Sequence, residues 1–451
     1  MFHTQGRWLS GLIFQNCFSS ILTIGQLKIL RLISLGGWVA TTIAWAIFFK
    51  KWSYWLNLDE KTWWLSSIYI VCSISVCIYI GWASCFEIFL AIFFGLLSTH
   101  ILFKGLNKNQ HEIHLSNMVI LGSVLAGLAS LFLYQPAFGI FLLPFFLAYV
   151  KNKKARPTRV IIIGMIFYIS LYLIYYILFK YSLRSYHLEA SNRTEIHFNF
   201  LKKLSFFFSG PFPQGFSMNL LFSASSIFSQ IFYPLVFIGW LWITLKRNQH
   251  LTFGGNVVFV AIILFLLALI YLPSMISAED FPSYRTLFVF NLSVFIMVIE
   301  SFLQLFSSEK KKTIVTIAGV LFLVMTSVYT FNFQFVNPLK KEYSVLKKFL
   351  RENYDPSITH VHFIRADKFL FTPEFHTRVY RDEFGAPSTY RDWVPEPIVK
   401  QMIFELTNDR KLAEKITVIQ FDAQSSFDLA EKISKDSNSL LINMNRLFEQ
   451  K

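Results

Sequence analysis

The sequence predicts an all-α polytopic membrane protein of about ten transmembrane helices, followed by a small C-terminal α/β soluble domain. Three observations carry this. The 451 residues are 54% hydrophobic and only 15% charged, with mean hydropathy +0.47, against about 25% charged residues in an ordinary soluble domain. Apolar runs near the ~20 residues needed to cross a bilayer recur between residues 28 and 332. The excess positive charge lies in the short breaks between those runs. Residues 1–338 hold 24 Lys/Arg against 10 Asp/Glu, whereas 339–451 hold 18 against 17. A water-soluble globular enzyme, a disordered chain and a nucleic-acid binder are thereby excluded as descriptions of the whole chain, the last because its basic residues would form a patch on a polar surface.

The apolar runs read as spans at about 28–49, 63–81, 84–103, 117–134, 136–150, 157–180, 228–245, 254–273, 284–306 and 313–332. The fifth is short and carries Pro144, so it is expected to be tilted or partly irregular. Lys50–Lys51, Lys104 with Lys108, Lys151–Lys153–Lys154–Arg156, Lys246–Arg247 and Lys310–Lys311–Lys312 fall in alternate breaks. Basic loops stay in the cytoplasm. Residues 82–84, the Tyr134–Gln135–Pro136 turn, the long loop 181–227, residues 274–283 and the tail then face outward. By the same parity residues 1–27 lie outside. Their apolar stretch Trp8–Ile24, interrupted by Gln15, Asn16, Ser19 and Ser20, reads as an interfacial helix. Translocating that segment calls for a preceding span, which is expected to be absent from this chain. Cys17, Cys72, Cys77 and Cys85 form no C-x-x-C pair and read as small apolar packing residues.

The tail, 339–451, reads differently. Leu339–Tyr354 is a charged amphipathic helix, Ile358–Ile364 alternates like a strand, and Pro397–Leu406 reads as a helix. Ile416–Phe421 is a second strand, Ser426–Ser434 a further helix and Leu440–Met444 a third strand. This helix–strand alternation predicts an extracytoplasmic α/β domain.

Polar groups gather at the outer edge, while the spans look dry. Glu87 follows an outer turn, Tyr134 and Gln135 form another, Glu279 and Asp280 precede the ninth span, and Arg285 begins it. Gln5 and Arg7 precede the interfacial helix. Arg184, His187, Glu189, Arg193, Glu195, His197, Lys202 and Lys203 lie in the long outer loop. Each has a bland alternative. Glu87 could be a solvated loop acid. Glu279 and Asp280 are adjacent, which is poor geometry for a carboxylate dyad, and one could cap the following helix. Arg285 could snorkel to head groups or fork onto a phosphate. The basic loop would suit an anionic head group or be a solvated face. Asn192–Arg193–Thr194 matches the glycosylation pattern by chance. No metal-ligating spacing, Ser/His/Asp order or dinucleotide motif is present. The sequence specifies no cofactor, and a divalent metal is compatible with it.

Gln5–Gly6–Arg7–Trp8–Leu9–Ser10, Leu133–Tyr134–Gln135 and Pro282–Ser283–Tyr284–Arg285–Thr286–Leu287 resemble segments of the bacterial membrane glucosyltransferases of the O-antigen-modifying type, C-type glycosyltransferases. The resemblance covers about residues 4–330. It implies a C-type, all-helical membrane fold and a polyprenyl-phosphate-linked sugar donor, with glucose the expected sugar. In that family a first span and an acidic pair precede the Gly-Arg segment. Here only His3, Thr4 and Gln5 do, which matches the missing span inferred from parity.

The expected function is transfer of a sugar from a polyprenyl-phosphate carrier to a surface glycan or lipid acceptor, at the outer face of a bacterial inner membrane. Such an enzyme has membrane lipids and no nucleic acid among its partners. Cleaving a sugar phosphate needs a cation near the phosphate and a carboxylate near the acceptor hydroxyl. Arg285 supported by Arg7 suits the phosphate, Glu87, Glu279 and Asp280 are acid/base candidates, and Tyr134 and Gln135 suit the sugar. Two other classes compete. A lipid or polysaccharide flippase or transporter predicts charged residues deep in the spans or a structural repeat. A non-catalytic anchor for the tail predicts no cavity.

Overall fold

The computed structural model describes residues 2–108, 115–151, 157–191, 194–196, 199–218, 227–375, 385–423 and 438–449. The chain forms two compact units, Met1–Ser20 with Lys28–Ser327, and Ile21–Leu27 with Val328–Lys451.

The first unit is helical. After α1 (Trp8–Phe18), α2 (Leu27–Leu56) buries one stripe, Leu30, Ser34, Trp38, Thr41, Trp45, Phe49 and Trp52. Its steps of three and four keep these residues on one face, and Leu32, Ile43 and Ile47 on the other face are exposed. Asp59 caps α3 (Glu60–Cys72) by accepting from Lys61 N at 2.9 Å. The expected second span breaks at Ser73, whose hydroxyl caps α4 (Ile74–Gly81). α5 (Ile88–Lys108) and α6 (Asn117–Leu133) approach closely through small residues. Ser98 Oγ donates to Ser123 O at 2.7 Å, and Ser130 Oγ to Ala91 O at 2.7 Å. The expected fifth span is a 3-10 run, Gln135–Leu142, leading into α7 (Leu143–Lys151). α8 is Pro157–Ser185. The stretch 181–227, expected as a loop, contains α9 (Phe200–Ser209) and α10 (Pro211–Phe216). α11 (Ile227–Arg247), α12 (Phe253–Ile270), the short α13 (Leu272–Ile276), α14 (Tyr284–Leu303) and α15 (Glu309–Tyr329) follow.

Among the described residues seven helical stretches are long and apolar enough to cross a membrane: Ile24–Leu56, Glu60–Gly81, Ala83–Asn107, Arg159–Ser185, Phe253–Ile270, Tyr284–Leu303 and Glu309–Asn353. The other three expected spans are not in this set. Asn117–Leu133 and Gln135–Lys151 are apolar but shorter, and α11 borders the undescribed residues 219–226.

α14 is the hub, buried almost without interruption from Tyr284 to Leu303 and packed against α3, α4, α10, α11 and α12. A helix apolar on every side belongs in the middle of a bundle. Near its C-terminal end stands Glu300, 1% exposed. Its carboxylate accepts from Asp59 N at 3.1 Å, Thr62 Oγ1 at 2.6 Å and Gln304 Nε2 at 2.8 Å, and pairs with Lys151. Around it, Lys312 Nζ reaches Asp59 Oδ2 at 2.7 Å and Arg247 Nη2 donates to Val150 O at 2.6 Å. The buried Glu300–Lys151 pair corrects the expectation that the spans are dry. Partners from α3, α7 and the α2–α3 turn, absent from any local window, make the burial of this acid tolerable.

In the second unit a π-helical turn, Thr330–Val336, leads into α16 (Asn337–Asn353). Then come β1 (His360–Ile364), α17 (Thr372–Phe375), α18 (Pro395–Thr407), α19 (Arg410–Lys415), β2 (Thr417–Phe421), β3 (Ser439–Asn443) and a short helix, Met444–Glu449. The three strands form a parallel sheet in the order β2-β1-β3, with His360 opposite Thr417 and Ser439. Leu346 and Leu350 of α16, Val361 and Phe363 of β1, and Val399, Met402 and Ile403 of α18 share its core. Buried Glu342 accepts from Ser388 N at 2.8 Å and from Thr389 N and Oγ1 at 2.9 and 2.6 Å. The expected helix Ser426–Ser434 lies outside the described residues.

Removing the Glu300 carboxylate strands Lys151 and the Asp59 amide in a buried site. Glu300→Ala is expected to destabilise the protein by about 3–5 kcal/mol, measured as the shift of a reversible denaturation curve in detergent. A change below about 1 kcal/mol would remove Glu300 as a structural node.

Candidate functional site

At the end of α14 opposite Glu300 the first unit encloses a cavity of about 440 Å³. One side is built by the segment before α1. Gly6 adopts φ +68°, a left-handed conformation favouring glycine. A Cβ there would lie 2.1 Å from Tyr175 Oη. The turn delivers Arg7, whose Nε donates to Gln135 Oε1 at 3.2 Å and whose guanidinium lies 4.5 Å from the Tyr134 ring centre. Gln135 Nε2 donates in turn to Gln5 O at 2.8 Å and to the Tyr175 hydroxyl. The Tyr175 hydroxyl donates to Gly6 O at 3.2 Å, and Tyr172 Oη to Gln135 O at 3.0 Å. One amide thus fixes both the glycine turn and the arginine.

The other side is the start of α14. Ser283 caps the helix by accepting from Thr286 N at 3.3 Å. The Arg285 guanidinium lies 4.8 Å from the Trp82 ring centre, with Nη1 3.7 Å from Cys85 Sγ. Thr194 and Ile196 contribute to the wall. Thr194 Oγ1 donates to Thr4 O at 3.0 Å, while Ile196 bridges to Ser277 and Ala278 N donates to Glu195 O at 2.8 Å. The remaining wall is apolar. Ile169, Tyr172, Leu173, Tyr176 and Phe179 line it from α8 at helical spacing, a strip running about 15 Å along the helix.

Five of the seven residues singled out from sequence, Arg7, Arg285, Tyr134, Gln135 and Glu279, line this one cavity. Glu87 and Asp280 are not among its lining residues. Glu87 is 3% exposed, which overturns its reading as a solvated loop acid; among the described residues its Oε2 has no hydrogen-bond partner, and it lies within electrostatic reach of Arg7. Asp280 is clasped by Lys203 Nζ at 2.5 Å and Lys202 Nζ at 2.7 Å, and Lys203 also donates to Ser277 O at 2.6 Å. Partial burial raises the Asp280 pKa, but the hydrogen bonds and charges of Lys202 and Lys203 outweigh it and hold the carboxyl below its usual range. Gln135, expected to meet a sugar, already spends both ends of its amide on protein partners. Arg193 and His197 lie outside the described residues.

The α8 tyrosines were missed by the sequence reading. Their signal is visible in retrospect, since Tyr172, Tyr175 and Tyr176 put three hydroxyls into one turn of an otherwise apolar span. Among the described residues no three His, Cys, Asp or Glu gather to hold a metal ion. No protein-family model, curated protein or solved structure matches the chain.

Gly6→Ala should combine backbone strain with displacement of Tyr175 and destabilise the protein by about 1–3 kcal/mol, seen as a lowered unfolding midpoint. An unchanged midpoint would show that the turn is not constrained. The Asp280 clasp contributes stability above the ordinary carboxylate pKa of about 4 and loses it as pH falls through the depressed folded value. Asp280→Asn should therefore narrow its stability gap to wild type in unfolding curves taken from pH 7 to pH 3. A gap independent of pH would remove the ionic contribution.

Proposed function

We propose that the chain is an integral-membrane glycosyltransferase that takes a sugar from a polyprenyl-phosphate carrier and passes it to a glycan or lipid acceptor, with glucose the first sugar to test. One observation carries this reading: a single cavity joins two guanidinium groups and a carboxylate to an apolar wall about 15 Å long. A phosphate carrying an isoprenoid chain has that division of chemistry. Arg285 and Arg7 would take the phosphate, forks suited to its oxygens. The acceptor oxygen attacks the anomeric carbon while its proton passes to Glu279. The bond from that carbon to the phosphate oxygen breaks, and the electron pair leaves on the polyprenyl phosphate, steadied by the arginines. Tyr134 is the remaining candidate for the sugar. Glu87 would balance the Arg7 charge, and Asp280 would hold the loop bearing Glu279.

We also propose ten crossings, with the cavity and an extracytoplasmic α/β domain on the outer side of a bacterial inner membrane. Residues 21–26 precede α2, residues after 329 follow α15, and both belong to one compact unit. Two segments on one side of a membrane are separated by an even number of crossings. Seven is odd, and adding Asn117–Leu133, Gln135–Lys151 and α11 gives ten. The three basic residues around Glu300, Lys151, Arg247 and Lys312, then share the cytoplasmic side, as basic loops should.

An anchor without a cavity fits poorly with this arrangement. A transporter would use charges along its path, whereas Glu300 is fully hydrogen-bonded at the end of α14 away from the cavity, the mark of a structural node. The test is transfer of radiolabelled sugar from polyprenyl-phosphate donors by the purified protein in nanodiscs. Arg285→Ala should lower transfer by about 10²–10³-fold and weaken donor binding, with Arg7→Ala acting in the same direction. Unaltered donor affinity in Arg285→Ala would end the phosphate assignment.

A further inference from the structure

The seven residues Ile21–Leu27 join α1 to α2, yet they pack in the compact unit formed by residues 328–451. The hold is specific. Glu405 of α18, with its side chain 9% exposed, accepts from Ile24 N at 2.5 Å. One turn earlier, Gln401 Nε2 donates to Leu22 O at 2.8 Å and to Glu405 Oε1 at 3.3 Å. Tyr343 Oη donates to Glu405 Oε2 at 3.5 Å, and Lys347 Nζ lies 3.6 Å from it. The Ile24 side chain packs on the core that contains Leu346 and Val399. The connector is also shaped from within by a capping box between Thr23 and Gln26. A nearly buried carboxylate reaching one backbone N–H about 380 residues away in sequence is a built contact.

We propose that the C-terminal unit is an intramolecular clamp on this connector, and that Glu405 is a positioning residue acting through the chain on Arg7. Only α1 and two serines separate the clamped stretch from Arg7. Near its start α1 is tied by Ser10 Oγ donating to Leu133 O at 2.9 Å and by Trp8 packing on Phe132. Fixing the far end of an eleven-residue helix limits its rocking, and so limits how far the Arg7 fork departs from its bond to Gln135. An oriented guanidinium loses less freedom when it binds an anion. The clamp therefore acts on donor affinity and, through the same fork, on departure of the phosphate. The kinetic arm rests on the reading of the cavity as a phosphate-lipid site; the structural arm does not.

The experiment uses the full chain in nanodiscs, with Cys17→Ser and Cys72→Ser and a cysteine pair from Leu22→Cys and Gln401→Cys. The pair should cross-link readily. Glu405→Ala should lower cross-linking several-fold and speed tryptic cleavage after Arg7, whereas Glu405→Gln, which keeps an acceptor for Ile24 N, should restore both in part. Without the cysteine pair, Glu405→Ala should lower kcat/KM for a polyprenyl-phosphate sugar about 5–10-fold; with the pair present, oxidising it should return kcat/KM toward wild type. Cross-linking and proteolysis unaffected by Glu405→Ala would overturn the clamp. A lost cross-link with kcat/KM and Arg7 cleavage unchanged would overturn its coupling to the cavity. If no sugar is transferred by any variant, the proteolysis result decides the coupling, so failure of the enzymatic reading is told apart from failure of the clamp.

Discussion

The first unit depends on α14, a helix buried on every side with a charge near each end. Between Arg285 and Glu300 it runs about 22 Å, most of an apolar layer's thickness, with only Thr286, Asn291 and Ser293 as polar residues before Glu300. A charge cannot be left unpaired in such surroundings. The surrounding elements are therefore obliged to bring partners to both ends. At one end they supply Lys151, Thr62, Gln304 and the Asp59 amide. At the other, Trp82 and Cys85 lie beside the arginine and a cavity opens in front of it. The two ends differ in their surroundings. The Glu300 end is closed by hydrogen bonds within the protein, while the Arg285 end faces space large enough for a ligand.

The cavity has a comparable hierarchy. Gln135 is its organiser, because one amide engages Arg7, Gln5 and Tyr175 together. The left-handed turn at Gly6 is needed so that backbone and tyrosine can approach closely enough for this to happen. The opposite wall is arranged by the Asp280 clasp outside the cavity and by the Ile196–Ser277 bridge within the wall, which hold the loop presenting Glu279. Of the three carboxylates considered, only Glu279 lines the space. The other two are engaged elsewhere, Glu87 in a buried site near Arg7 and Asp280 with two lysines. In the proposed enzyme these would supply electrostatic balance and position.

Composition leaves open what a charge-balanced tail does on an apolar protein, and the second unit bears on that question. Its parallel sheet and α18 offer Glu405 and Gln401 to a piece of chain from the other end of the sequence. In the proposed arrangement that contact goes with an even count of crossings, and the proposed clamp would give the tail a mechanical role.

Much of this was legible from residues alone. Apolar run length and the placement of lysines and arginines located the membrane-capable helices, because the cost of exposing backbone and charge to lipid is a local property of a window of sequence. The three tail strands were found within about two residues for the same reason, since alternation is local. Five residues that line the cavity were singled out because polar groups at the edge of apolar runs are conspicuous. Other features needed the fold. The second run breaks at Ser73 because a side-chain cap competes there with the helix, and residues 181–227 contain helices whose burial comes from distant contacts. Glu300 passed unnoticed because its partners lie up to 241 residues away. Residue pattern settles which segments are apolar and which ends of them carry charge, since these follow from transfer of each residue out of water. Which charges meet, which are neutralised and which face an open cavity is decided only by packing, since pairing energies depend on distances between residues that no stretch of sequence contains.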